Sequence, residues 1–426
     1  MSARDRERNR RDLLRLTTAG SVDDGKSTLI GRLLADLGAL SIDQLAALAA
    51  AAVREGREDI DLARVTDGLT AEREQGITID VAYRYFATAR RSFILADVPG
   101  HEQYTRNMVT GASKATAALF LTDVRNGMTR QSRRHVCIAA LLGLPHVVFA
   151  VNKMDLVGYA EDAFMRAHDE LARFCARLGF AEVHYVPVSA KKGENVVRGA
   201  DAMPWYRGAT LIQVLEDLPA GAPRRDLPFR MPVQLAARPA DGMTADIRGY
   251  MGRVAAGRVR VGDRVRVAPG GGETTVTGIL LPDGAAEEAS TGQSATLTLA
   301  DPLDVGRGHM LAAPEAPPRE ARELTATLCW LDRVPQDPRA AYLLRAGTRT
   351  VAARVAPPAH LIDVDTLDRV PGNGPLAANG IGEARIRLQD DIAFDPYAEC
   401  AATGAFILID PRTNATVAAG MVEHGL

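Results

Sequence analysis

The stretch that most limits how this chain can fold is Gly20-Ser21-Val22-Asp23-Asp24-Gly25-Lys26-Ser27. It fits the phosphate-loop pattern of Gly, four free positions, then Gly-Lys-Ser/Thr. Leu14 to Thr18 before it reads as a strand, and Thr28 to Leu34 after it has helical apolar spacing. Strand, loop and helix N-terminus form the context the pattern needs. Backbone N–H groups and the positive helix end then cradle a polyanionic phosphate. Lys26 reaches the outer phosphates, and Ser27, followed by Thr28, offers a hydroxyl to Mg²⁺. The pattern is short, and an ordinary glycine turn before a helix reads the same way, so other parts must join it.

The first half alternates apolar strand candidates with helical patterns. The strands are Phe93–Ala96, Ala117–Thr122, Val147–Val151 and Tyr185–Val188. Such alternation predicts an α/β domain, a mostly parallel sheet with helices on both faces and ligands at the carboxyl ends of the strands. Ser41 to Glu55, rich in alanine and leucine, is predicted helical, and polar Glu58 to Gly76 is a candidate mobile loop. The texture changes at Pro219, Pro223 and Pro228, and again at Pro314, Pro317 and Pro318. Between and after these clusters, short β-type runs separated by glycines predict two small all-β barrels. The expected layout is a tail over 1–12, a P-loop GTPase domain over 13–222, and β-barrels over 228–315 and 320–426. The Arg-Val alternation from Gly257 to Val267 could suggest a nucleic-acid surface, but such a pattern is more often a solvated strand face.

Three further stretches specify the nucleotide. Phe93–Ala96 runs into Asp97-Val98-Pro99-Gly100-His101. A carboxylate at the end of a buried strand supports Mg²⁺, usually through water. Gly100 lets a backbone N–H approach a γ-phosphate. His101 is placed to orient an attacking water, the alternative being a histidine on a surface loop. Val147–Val151 leads into Asn152-Lys153-Met154-Asp155. The Asp155 carboxylate can accept guanine N1–H and N2–H₂, whereas adenine offers neither, so this pattern selects guanine. The Lys153 stem is long enough to lie along the base. Ser189-Ala190-Lys191 follows the next strand, and its amides could close on guanine O6. Thr78, in Gly76-Ile77-Thr78-Ile79, is a candidate Mg²⁺ ligand that switches with the γ-phosphate; it also reads as a β-branched residue opening a strand.

The 426 residues suffice for two or three cored domains. A net charge of −2 carries no global basic field, so nucleic acid is not an expected partner. No apolar run approaches a membrane span, and Met1 to Asp12 has no apolar segment of a secretory signal. Cys137, Cys175, Cys329 and Cys400 are widely spaced, as in scattered thiols of a cytoplasmic protein.

These motifs in this order resemble the translation-factor GTPases. Elongation factor Tu and its eukaryotic counterpart share Glu72–Ile79 with small variations, the Asp97–His101 motif and Asn107-Met108-Val109-Thr110-Gly111. Met203-Pro204-Trp205-Tyr206 and, more weakly, Asn414–Val422 extend the likeness over nearly the whole chain. Translation elongation factors usually carry His-Val-Asp-His in the phosphate loop, where this chain has Ser21-Val22-Asp23-Asp24. The longer strings Gly25–Leu34, Asp67–Phe86 and Pro99–Met108 look like the GTP-dependent large subunit, subunit 1, of bacterial sulfate adenylyltransferase (ATP sulfurylase). That resemblance implies a heterodimer or higher complex with a small catalytic subunit. The partner makes adenosine 5′-phosphosulfate and pyrophosphate from ATP and sulfate, the first step of sulfate assimilation, and GTP hydrolysis here drives it. It implies GTP and Mg²⁺ as cofactors, Lys26 and His101 as catalytic residues, and Ser27, Thr78 and Asp97 at the metal. Some members carry a fused adenylylsulfate kinase. No second phosphate-loop pattern occurs before Leu426, so no kinase activity is expected. The alternative is an elongation factor-like GTPase that binds tRNA.

Overall fold

The computed structural model describes residues 12–21, 23–54, 56, 60–65, 80–101, 104–220, 226–237 and 248–425. Val22, Thr78 and the rest of the Glu72–Ile79 motif lie outside them. The described chain forms two compact units, 1–221 with 364–367, and 222–363 with 368–426.

The first unit is built on a six-stranded sheet. Its strands are β1 (Leu13–Ala19), β2 (Ala82–Ala87), β3 (Ser92–Asp97), β4 (Ala117–Asp123), β5 (His146–Asn152) and β6 (Glu182–Pro187), in the order β2-β3-β1-β4-β5-β6. Every pair is parallel except β2 with β3. All seven residues of β4 and of β5 are buried, which is why both read as unbroken apolar runs rather than alternations. The helices are α1 (Lys26–Asp36), α2 (Ile42–Arg54), α3 (Thr105–Ala112), α4 (Arg130–Leu141), α5 (Glu161–Cys175) and α6 (Leu211–Asp217). Leu29, Ile30 and Leu33 of α1 join Leu14, Leu16, Leu95 and Leu119 in one core on the sheet. The strand order turns at β1, with β3 on one side and β4 on the other. The carboxyl ends of these strands therefore flank the β1–α1 loop, the position of ligand crevices in open α/β sheets.

Two closed barrels make up the second unit. The first uses β7 (Arg230–Ala237), β8 (Gly249–Arg253), β10 (Arg264–Ala268), β11 (Gly272–Leu281), β14 (Ser294–Leu299) and β15 (Met310–Ala312). They run β10-β15-β7-β8-β14-β11, and β11 pairs back to β10. Three-residue β12 (Gly284–Ala286) adds to β11, and β9 (Arg258–Arg260) pairs with β13 (Glu288–Ser290). The Arg-Val alternation is thus two strands, because Gly262, at φ 93, turns the chain between β9 and β10. Val259, Val265 and Val267 point into the barrel core, while Arg258, Arg260 and Arg264 are exposed and pair with Glu288 or Glu273.

The second barrel uses β16 (Arg319–Trp330), β17 (Tyr342–Ala346), β18 (Arg349–Val355), β21 (Ile381–Phe394), β22 (Ala405–Ile409) and β23 (Thr416–Gly425). Here β21 closes the ladder onto β16, and β19 (His360–Ile362) with β20 (Arg369–Pro371) extends from β21. The two barrels share a buried ion pair. Arg230 Nε and Nη2 donate to Asp395 at 2.9 and 2.8 Å, and Thr403 Oγ1 donates to the same carboxylate at 2.6 Å.

Candidate nucleotide-binding site

Those sequence-predicted residues that are described converge on one rim of the sheet. β1 ends at Ala19, just before Gly20, β3 ends at Asp97, β4 at Asp123 and β5 at Asn152, and β6 leads through Val188 to Ser189. Parallel register aligns Thr18 with Asp97 and Asp123 with Asn152, so the polar strand ends form a row.

The phosphate loop is tightly specified. Asp23 and Gly25 adopt left-handed φ values of 70° and 94°. A Cβ on Gly25 would lie 2.5 Å from Asn152 Nδ2, so glycine lets the loop lie directly on the Asn152 amide. That amide donates to the Asp24 carbonyl at 2.8 Å. Ser21 N donates to Asp24 Oδ2 at 2.7 Å, closing the loop on itself. Ser21 Oγ also meets the hydroxyls of Thr129, the N-cap of α4, and of Ser132. The Asp24 carboxylate is 3% exposed, and burial pushes its pKa up to about 6, against the opposing pull of the Ser21 N–H and Lys26.

Lys26 opens α1 and is buried at 7% exposure. Its Nζ donates to Gly20 O at 3.3 Å. Burial lowers its pKa, while Asp97, Asp24 and Asp23 pull it back up. A buried ammonium among carboxylates, at a helix N-terminus, is the arrangement a polyphosphate completes. Gly100 lies against Lys26 Nζ and 2.6 Å from Gly20 O by its missing Cβ, so no side chain fits there. Val98, Pro99 and Gly100 are buried, while His101 is half-buried and packs edge-on to Tyr104, with centroids 6.1 Å apart. The Asp97 carboxylate, 1% exposed, accepts from Thr18 Oγ1 at 3.4 Å. With the half-buried Ser27 hydroxyl at the start of α1, this is an all-oxygen donor set of the kind a hard divalent cation takes.

The base end is tied together by its own side chains. Asn152 Oδ1 accepts from Ala190 N at 2.9 Å, and Asp155 Oδ1 accepts from Ser189 Oγ at 2.7 Å. Met154 is buried and only packs, so it has no polar part to play. Lys153 sits at φ 64 with Nζ 3.0 Å from Asp123 Oδ2. Burial alone would raise Asp123, but Arg125 and Lys153 hold its carboxyl well below the usual range. Asp123 was not singled out by sequence, although it ends a buried strand as Asp97 does. Arg32 was also missed. It donates from α1 to the carbonyls of Ala190 at 3.2 Å and Lys191 at 2.7 Å. The Met203–Tyr206 stretch packs Trp205 at a tilt against Phe164, centroids 5.6 Å apart, and Trp205 Nε1 donates to Tyr159 O just beyond the base loop.

Fold and site together define a P-loop GTPase of the translation-factor class. The elongation factor Tu GTP binding domain family matches residues 11–220, and the GTP-eEF1A C-terminal domain-like family matches 323–423. "Sulfate adenylyltransferase subunit 1" of Chromobacterium violaceum is 48% identical over 415 residues, 97% of this chain and 86% of that protein. "Bifunctional enzyme NodQ" of Rhizobium tropici is 49% identical over 97% of this chain, and "Bifunctional enzyme CysN/CysC" of Mycobacterium tuberculosis 49% over 96%. The chain spans 65% and 67% of those two longer relatives. It belongs to the family of sulfate adenylyltransferase subunit 1.

Proposed function

We propose that the chain is the GTP-hydrolysing subunit of a two-component sulfate adenylyltransferase. In this reading GTP hydrolysis here drives formation of adenosine 5′-phosphosulfate and pyrophosphate from ATP and sulfate on a small catalytic subunit. The observation that carries it is the shared rim: the phosphate loop, Gly100, Asn152 and Ala190 touch one another at the strand ends of a chain of this family.

Each residue then has a defined task. The loop from Gly20 to Thr28 wraps the phosphates with backbone amides, and Lys26 neutralises the outer ones. Ser27 and Asp97, with Thr78, would hold Mg²⁺, which supplies charge neutralisation on the phosphates when bound. Gly100 lets the main chain approach the γ-phosphate, and His101 orients the water that attacks it. Asp155, steadied by Ser189, accepts the guanine N1–H and N2–H₂. Asn152 ties the base loop to the phosphate loop, and Lys153, anchored on Asp123, lies along the ring. Association with the small subunit and residence in the cytoplasm belong to the same reading. Among the described residues no helix is long and apolar enough to cross a membrane.

The test is GTP hydrolysis by the purified chain, alone and with the small subunit, with ATP and sulfate present or omitted. Turnover should rise strongly only with the partner and its substrates. His101→Ala should keep GTP affinity within about threefold and lose about 100-fold in stimulated turnover, the scale of a lost proton-handling or water-orienting group. A variant with full turnover would remove His101 from the mechanism. No stimulation by partner and substrates would sink the coupled role.

A further inference from the structure

We propose that Arg32 is a positioning residue for guanine recognition, acting through the peptide planes of Ala190 and Lys191. The inference rests on the nucleotide-site reading above and assigns a role that its motifs do not contain.

Arg32 lies on α1, the helix whose N-terminus faces the phosphates, yet its guanidinium reaches the far end of the site. Nε donates to Ala190 O at 3.2 Å and Nη2 to Lys191 O at 2.7 Å, a two-pronged contact across 158 and 159 residues. Nη1 is steadied by Asp36 Oδ1 at 3.4 Å. The base loop lies flat on this fork because residue 193 is glycine. At φ 77, its missing Cβ would sit 3.3 to 3.5 Å from Arg32 Cδ, Nε and Cζ.

The peptide unit is planar and trans, so its C=O and N–H point in opposite directions. Pinning the Ala190 carbonyl on Arg32 therefore aims the Lys191 N–H away from the helix. The neighbouring amides are already committed, Ala190 N to Asn152 Oδ1 and Lys192 N to Ser189 Oγ at 3.3 Å. No described bond takes the Lys191 N–H. It is the donor left to meet the base, and O6 is the acceptor that guanine presents on that edge. Arg32 thus fixes the direction of a specificity contact that it does not touch itself.

The experiment compares GTP with 2-aminopurine riboside triphosphate, which keeps the 2-amino group but lacks the 6-oxo oxygen and, with it, the N1–H that Asp155 accepts. Dissociation constants and off-rates are measured on the full chain and on Arg32→Ala and Arg32→Lys. Lysine keeps the charge and loses the planar fork. In both variants GTP should weaken about 10-fold, the scale of two charge-assisted bonds lost from a half-exposed loop. The 2-aminopurine analogue should change little, so the preference for GTP falls by about the same factor, leaving the share that Asp155 supplies through N1–H. Thermal melting in the absence of nucleotide identifies a variant that does not fold, in which case Arg32→Lys carries the test. Equal weakening of both nucleotides would assign Arg32 a general structural role and overturn the proposal, as would unchanged GTP affinity. If the unmodified chain binds no GTP, the nucleotide-site reading itself fails, an outcome distinct from either of these.

Discussion

At the scale of single residues, Asp24 shows most clearly what the site costs. Its carboxylate closes the phosphate loop by accepting the Ser21 N–H, yet it is buried and its pKa stands near 6 instead of 3.8. The folded chain therefore holds the Asp24 proton more tightly than the unfolded chain does. The stability that comes with the proton is complete below about 3.8 and is lost as pH rises through about 6. That displacement corresponds to about 3 kcal/mol above pH 7. Asp24→Asn keeps a carbonyl oxygen for the Ser21 N–H and has no proton to lose. The variant's advantage in ligand-free melting temperature should grow between pH 4 and 7 and reach several degrees. A difference that is flat across that interval would show that burial does not tax this carboxylate. Burial sets most of the effect, and the Ser21 N–H, Lys26 and Asp123 modify it.

Elements rather than residues were the more legible part of the sequence. Strands β3, β4 and β5 announced themselves as apolar runs because both of their faces are covered, and each motif followed directly from a strand end. The signal failed where meaning lies in long-range backbone contacts. Arg32 makes its bonds to carbonyls, which carry no sequence signature, on a loop 158 residues away. Asp123 was hidden because its partner, Lys153, had already been assigned a different task. The Arg-Val run, by contrast, carried its own break in the sequence, since Gly262 turns the chain between β9 and β10. Gly31 is a comparable case within α1. Its missing Cβ would land on the Leu62 carbonyl oxygen, with Leu62 Cβ 3.1 Å away, so the helix packs backbone-close on the 3₁₀ turn Leu62–Val65. Gly31→Ala would normally favour a helix by up to about 1 kcal/mol. Here overpacking against backbone should outweigh that gain by about 1–2 kcal/mol, read as a lowered melting temperature. An alanine variant as stable as the parent would mean that the turn moves freely away.

For the second unit as a whole, the decisive interaction is the Arg230–Asp395–Thr403 cluster. Arg230 begins β7 of one barrel and Asp395 directly follows β21 of the other, and both are less than a tenth exposed. Removing one member of a buried pair strands the other charge. Asp395→Ala should therefore cost about 3–5 kcal/mol, measured as a lower denaturant midpoint for the barrels. Replacing the pair together with apolar residues of similar volume should cost much less. A small loss from Asp395→Ala would mean that water reaches Arg230.

Closure of the two barrels has one more consequence. A ladder that returns on itself offers no row of unpaired amides to a stranger. Among the described residues of the second unit, the overhanging edges are β9, β12, β13 and β20, each only three residues long, and β20 ends in a proline. Recruitment of another polypeptide by adding a strand is thus largely barred there. A companion that docks on the barrels is recognised through side chains and surface shape, which can drift in sequence without disturbing the ladders beneath.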